Sequence, residues 1–295
     1  MPALPMELGK PLPAHTRWPE FAHVIFDCDS TLSTVEGIDV LASNLGFEDE
    51  VAALTQAAME GDVELNAVYA ERLRMLRPSK QAITELRAAY KGNVVPHARE
   101  IVAALIELDV EVYVVSGGLA DPVRDFAISL GINPENVRAV EARHDALSGE
   151  WWKAGERPVD QEYAGFEDGA LTRSDGKAEI IADLLAGSEG SAMLVGDGAS
   201  DMEAATSVDL FVGFGGVVHR NAVAEAAPIY ITGDSLAPIL PLAMGPGGGA
   251  RLHGTAALET FEQGVAAIRT GDVRFDSAET KRTLLAALDR SPDRV

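Results

Sequence analysis

Short apolar runs that stop abruptly at polar residues constrain this chain more than any other feature. AHVIFDC (22–28), VEVYVVSGG (110–118) and SAMLVGDG (191–198) are apolar or β-branched along most of their length and end in Asp, Ser, Cys or Gly. DLFVGFGG (209–216) and PIYIT (228–232) repeat the pattern. Runs this short and continuous, bounded by turn residues, read as strands buried on both faces. Helical periodicity lies between them, over 98–108, 120–130 and 177–185. The alternation predicts an α/β fold: a Rossmann-like parallel sheet wrapped by helices. Such sheets bind ligands at the carboxyl ends of their strands, near a switch in strand order. Asp, Ser and Gly recur at those ends here.

Three segments depart from the alternation. Between the first two strands, VEGIDVLASNLG, EDEVAALTQAAMEG and VELNAVYAERLRML carry apolar positions at helical spacing, separated by Gly46, Gly61 and Pro78. This is too long for a simple βα connection and predicts an inserted helical cap over 35–90. The region 137–168 holds Trp151, Trp152, Tyr163 and Phe166 among turn signals and is compatible with a small β-hairpin. The two tryptophans read as hairpin packing rather than a stacking platform. Beyond Thr232, the Gly-rich 241–254 reads as a flexible connection, followed by helical stretches at 256–268 and 278–288. The expected organisation is an N-terminal arm (1–20), a core (21–34 and 91–232), the cap, and a C-terminal extension (233–295) of linker plus helical hairpin.

Composition excludes several functions. Acidic residues number 46 against 24 basic ones, a net charge of -22. Such a chain would be repelled by nucleic acid and by anionic membranes, so neither is an expected partner. A single cysteine, Cys28, forms no intrachain disulfide. Residues 1–20 have no apolar core behind a basic start, and no apolar run approaches the ~20 residues of a membrane span. A cytoplasmic protein, monomeric or homodimeric, is expected.

The strand ends gather four chemical features: FDCDST with Asp27 and Asp29, SGG (116–118), SDGKAEI with Lys177 opening a helix, and GDGASD with Asp197 and Asp201. Clustered carboxylates repel one another and need a counter-charge. Mg²⁺, a hard cation that takes carboxylate oxygens and bridges to phosphates, would supply it. Lys177 adds a further positive charge. Ser116 and the amides of Gly117 and Gly118 are suited to donating to phosphate oxygens ahead of a helix. Asp27 is then placed to attack phosphorus, forming an aspartyl-phosphate. Asp29 is the corresponding acid for the leaving alkoxide and base for the attacking water. Spacing alone does not fix where Asp29 points, because the strand ends there.

The ordered set DCDST, SGG, Lys177 and GDGASD resembles the four motifs of the haloacid dehalogenase-like phosphatases. CDSTLSTVEGIDVLA, ERLRMLRPS, VYVVSGG, EYAGFED, GDGASDMEA and FVGFGG extend the resemblance to that family's phosphoserine phosphatase branch, nearly continuously from Phe21 to Thr232. The resemblance implies Mg²⁺-dependent hydrolysis of O-phosphoserine through an aspartyl-phosphate. It implies Asp27 as nucleophile and Asp29 as acid/base. Asp27, the Asp29 main-chain carbonyl and Asp197 would hold the metal, with Asp201 in support. Ser116, Gly117, Lys177 and Ser200 would grip phosphate. Glu36 and Arg72 in the cap would recognise the ammonium and carboxylate of serine, with Met59 and Gly118 also touching substrate.

Two residues depart from the pattern. Glu60 stands where many relatives have Gly, and Ser200 where many have Asn or Thr. The cap sets substrate choice and the fold does not, so a phosphorylated amine or sugar stays open as substrate. A receiver-like module that holds a phosphorylated Asp is a further alternative, although it has no use for Asp29 or for a cap.

Overall fold

A computed structural model describes residues 18–59, 65–148, 160–173 and 175–289. Trp151, Trp152 and Glu60 lie outside them. The predicted strands form as β1 (Phe21–Phe26) and β2 (Glu111–Leu119), followed by β3 (Val137–Val140). Next come β4 (Ala142–His144) and β5 (Tyr163–Phe166), then β6 (Ser191–Gly196), β7 (Leu210–Phe214), β8 (Ile229–Ile231) and β9 (Val273–Phe275). Seven of them make one sheet in the order β3-β2-β1-β6-β7-β8-β9, parallel throughout except for β9, which pairs antiparallel with β8. β4 and β5 form the separate antiparallel pair expected from the turn signals of 137–168. β3, from the same region, instead extends the main sheet.

Period-two alternation explains why the strand runs are apolar throughout. Val24 and Phe26 of β1, Val112 and Val114 of β2, and Met193 and Val195 of β6 enter one core. Their neighbours Ile25, Tyr113, Val115 and Leu194 enter a second core on the opposite face. Both faces are covered, as a parallel sheet requires.

The helices inserted between β1 and β2, where the cap is expected, are α1 (Gly37–Leu45), α2 (Glu48–Met59), α3 (Leu65–Leu76) and α4 (Lys80–Gly92). Pro78 separates α3 from α4, and the Ser79 side chain caps α4 by accepting from the Ala82 amide. The chain then re-enters the core through α5 (Ala98–Glu107), and α6 (Ala120–Ser129) follows β2. Strand β1 has β2 on one side and β6 on the other. The switch in strand order therefore falls where the Asp-bearing loops leave the sheet.

The C-terminal segment differs from expectation. After α7 (Gly176–Leu185), α8 (Ala199–Ala204) and α9 (Asn221–Ala226), the Gly-rich stretch is occupied by α10 (Ile239–Met244) and α11 (Gly247–Arg251), not by an extended linker. The physical reason is packing: a Cβ at Gly248 would stand 2.7 Å from the Phe261 ring, so the missing side chain makes room for an aromatic. The two tail helices, α12 (Ala257–Thr270) and α13 (Ala278–Leu288), are separated by β9, so the connection is a sheet strand rather than a hairpin turn. Ile268, Val273 and Leu284 are buried in the main core. Trp18 donates to the Leu242 carbonyl at 2.8 Å, joining the start of the described chain to α10. Among the described residues no helix is long and apolar enough to cross a membrane.

Candidate active site

Strand β1 delivers Asp27 to the site and β6 delivers Asp197, one residue beyond each strand end. The Asp27 amide donates to the Val195 carbonyl at 2.9 Å, so the two ends are held together by the sheet's own pairing. After Asp27 the chain turns sharply. The amides of Leu32 and Ser33 both donate to the Cys28 carbonyl, and Ser30 adopts a left-handed φ of 54°. That turn removes Asp29 from the strand pleat and settles its direction. Asp27 and Asp29 both line one cleft, with Asp29 half-buried.

The cleft measures about 260 Å³, just below the roughly 300–1,000 Å³ usual for small-molecule sites. Glu36, Arg72, Ser116, Gly117, Gly118, Lys177, Asp197 and Ser200 also line it, so it draws on both core and cap. Asp201 lies behind, fully buried. Met59 closes α2, and its side chain is outside what the structure describes. The Gly118 amide donates to Ser116 Oγ at 3.0 Å, which fixes the hydroxyl at the strand end.

Electrostatics identify the centre. Lys177 Nζ lies 2.9 Å from Asp27 Oδ1 and 2.7 Å from Asp201 Oδ1. Burial alone would lower the Lys177 pKa, but the Asp201 and Asp27 carboxylates outweigh it and hold it above its ordinary value. The Asp201 carboxyl is pushed up to about 7, by burial first and by Asp27 next, against the opposing pull of Lys177. Burial and Asp27 also raise Asp197 to about 6, opposed by Arg220. Burial raises Asp29 to about 7, opposed by its hydrogen bond from Tyr90.

These shifts mark a deficit of positive charge. Five carboxyls, Glu36 included, face three cations, Lys177, Arg72 and Arg220, and one divalent ion would balance the set. One oxygen from each of Asp27, Asp197 and Asp201 lies within 4.8 Å of the others, an all-oxygen donor set suited to Mg²⁺. Both oxygens of Asp201 are engaged, by Lys177 and by the Gly198 amide at 3.0 Å, which fits a supporting role.

Lys177→Met would keep the side chain's volume and leave Asp27 and Asp201 buried without their shared cation. Breaking a buried pair in this way costs about 3–5 kcal/mol. Urea unfolding of the metal-free variant should show that loss as a lower midpoint at unchanged slope.

Arg220 and Tyr90 are site residues that sequence reasoning missed. The Arg220 Nε donates to Asp197 Oδ2 at 3.0 Å, and its terminal nitrogen lies 3.0 Å from Glu36 Oε1. Glu36, expected to face a substrate ammonium, is thus already paired and also accepts from Ser30 Oγ at 3.3 Å. The available signal for Arg220 was its isolation: it is the one formal charge between Leu210 and Ala224, just beyond a strand end. The Arg72 guanidinium lines the cleft with its pKa lowered by burial, a shift opposed by Asp39 and Glu36.

No protein-family model matches the chain. It is 37% identical over 211 residues to phosphoserine phosphatase of Bos taurus, covering 71% of this chain and 88% of the relative. The chain belongs to the phosphoserine phosphatase family. A bacterial member from Albidiferax ferrireducens is 33% identical over 230 residues, covering 77% of this chain and 91% of its own. Among solved structures, a phospho-aspartyl intermediate analogue of phosphoserine phosphatase superposes with a TM-score of 0.59 at 24% identity, covering 75% of this chain and 98% of that one. The core fold is therefore that of a solved phosphoserine phosphatase.

Proposed function

We propose that this chain is a Mg²⁺-dependent phosphoserine phosphatase that releases serine and phosphate through an aspartyl-phosphate on Asp27. The observation that carries the reading is one small cleft joining Asp27, Asp29, Asp197 and Lys177 to Glu36 and Arg72, in a chain of this family. Asp27, the Asp29 main-chain carbonyl and Asp197 would hold the metal, with Asp201 behind them. When bound, Mg²⁺ would neutralise charge on the phosphoryl oxygens.

The chain's own groups do the rest. Asp27 is restrained by Lys177 and by the Cys28 amide, which donates to Oδ1 at 2.8 Å. It attacks phosphorus, and the bond to the serine oxygen breaks. Asp29 gives its proton to that departing oxygen, then takes one from the water that cleaves the aspartyl-phosphate. Lys177, Ser116, Gly117 and Ser200 hold the transferring phosphoryl group. Arg72 pairs with the serine carboxylate and Glu36 with its ammonium, while Met59 and Gly118 complete the walls. The reading includes a cytoplasmic protein, monomeric or homodimeric.

Because Glu36 is already paired with Arg220, a small phosphate ester lacking an ammonium group is the second candidate substrate. A panel of phosphate esters tests both, with Arg72→Ala as the companion variant. Phosphoserine should give the highest kcat/KM. Arg72→Ala should raise its KM about tenfold or more, the worth of a charge-assisted contact, and change an alkyl phosphate with no charged group on its alkyl chain less than twofold. Equal effects on both would remove Arg72 from its role.

A further inference from the structure

Asp29 is held on both carboxylate oxygens by the two chain segments that connect cap to core. The Gly37 amide, at the first residue of α1, donates to Oδ2 at 3.4 Å. The Tyr90 hydroxyl, in the last turn of α4, donates to Oδ1 at 2.5 Å. Tyr90 is wholly buried. Its ring stacks on Phe126 of α6, with centroids 5.7 Å apart at 29°. Next to it, Lys91 pairs with Asp125 at 2.6 Å, so the end of α4 is fastened to the core at two adjacent positions. Gly37 leaves room for the hydroxyl, since a Cβ there would collide with the Tyr90 oxygen. A phenylalanine would fill the same apolar space. The hydroxyl is buried, and what it meets is the carboxyl that works as acid and base.

We propose that Tyr90 is a positioning residue that fixes the rotation of the Asp29 carboxyl, reserving Oδ1 for itself and Oδ2 for the reacting atoms. This rests on Asp29 acting as acid/base, as proposed above. The consequence is geometric. The 2.5 Å bond from Tyr90 engages Oδ1 far more strongly than the 3.4 Å bond from Gly37 engages Oδ2, so the proton passed to the departing serine oxygen sits on Oδ2. Because Tyr90 and Gly37 lie at opposite ends of the cap, the orientation of Asp29 is tied to the seating of the cap on the core.

The test compares phosphoserine with acetyl phosphate, a small substrate whose acetate leaves without needing a proton. The readout is kcat/KM, which covers steps only up to transfer onto Asp27 and is blind to hydrolysis of the intermediate. In Tyr90→Phe, kcat/KM for phosphoserine should fall about tenfold, and that for acetyl phosphate less than twofold. Gly37→Ala, which displaces the hydroxyl without deleting it, should reproduce the pattern. Parallel losses on both substrates would mean that Tyr90 is only packing, and an unchanged phosphoserine value would likewise overturn the proposal. Asp29→Asn separates the two levels. If Asp29→Asn lacks a phosphoserine-selective loss, the acid/base reading itself fails. If it has one and Tyr90→Phe does not, only the Tyr90 proposal fails.

Discussion

Asp27→Asn is expected to fold, to bind phosphoserine and to release no phosphate. An amide nitrogen has no lone pair fit to attack phosphorus and forms no aspartyl-phosphate, so both half-reactions are lost. Removal of a covalent nucleophile costs on the order of 10⁴-fold or more in kcat. Folding should survive for an electrostatic reason. Asp27 raises the pKa of Asp197 and of Asp201, so it is a source of repulsion in the metal-free protein. Lys177 would lose one partner and keep Asp201 at 2.7 Å. Thermal unfolding and phosphate release, measured on the same preparation, check both halves. Turnover within tenfold of the unsubstituted protein would eliminate the covalent route.

How much of this site was legible beforehand depends on the range of each interaction. Buried parallel strands announce themselves as continuous apolar runs, and the residues just past them carry the chemistry. Asp27, Ser116 and Asp197 were therefore readable from position alone. Asp29 was readable as a residue but not as a direction, because the left-handed turn at Ser30 lies in no periodic pattern. Tyr90 reads as one more apolar position on the face it shares with Ile83 and Leu86. Its function depends on a hydroxyl meeting a carboxyl 61 residues away. Arg220 meets Glu36 across 184 residues. β3 and β9, only four and three residues long, are too short for any period to register. The glycines of 241–254 misled because the same residue that loosens a linker also admits a close-packed ring.

Metal removal should have the other dominant effect, and its sign follows from the shifted carboxyls. Asp197 and Asp201 titrate in the metal-free fold near 6 and 7, above their ordinary 3.8. A carboxyl whose folded pKa is raised binds protons more tightly in the fold. Its stabilising contribution is fully present below about pH 4 and is lost as pH rises through 6 to 7. Chelator-treated protein should accordingly lose stability, on the order of a few kcal/mol, between pH 5 and pH 8. Mg²⁺ would bind the ionised carboxylates, so it should restore the melting temperature most at the alkaline end and flatten the pH dependence. Activity should vanish without the ion and return with it. Residues 21–232 carry 36 of the 46 acids and only 15 of the 24 bases, so the field around the cleft repels an approaching phosphate. Lys177 is already committed to Asp27 and Asp201, and Arg220 to Asp197 and Glu36. With Lys177 shared between two carboxylates and the phosphoryl group, a divalent ion would supply most of the positive charge at the reacting end. A chelated protein that melted identically at pH 5 and pH 8, with or without added Mg²⁺, would contradict this account of the site.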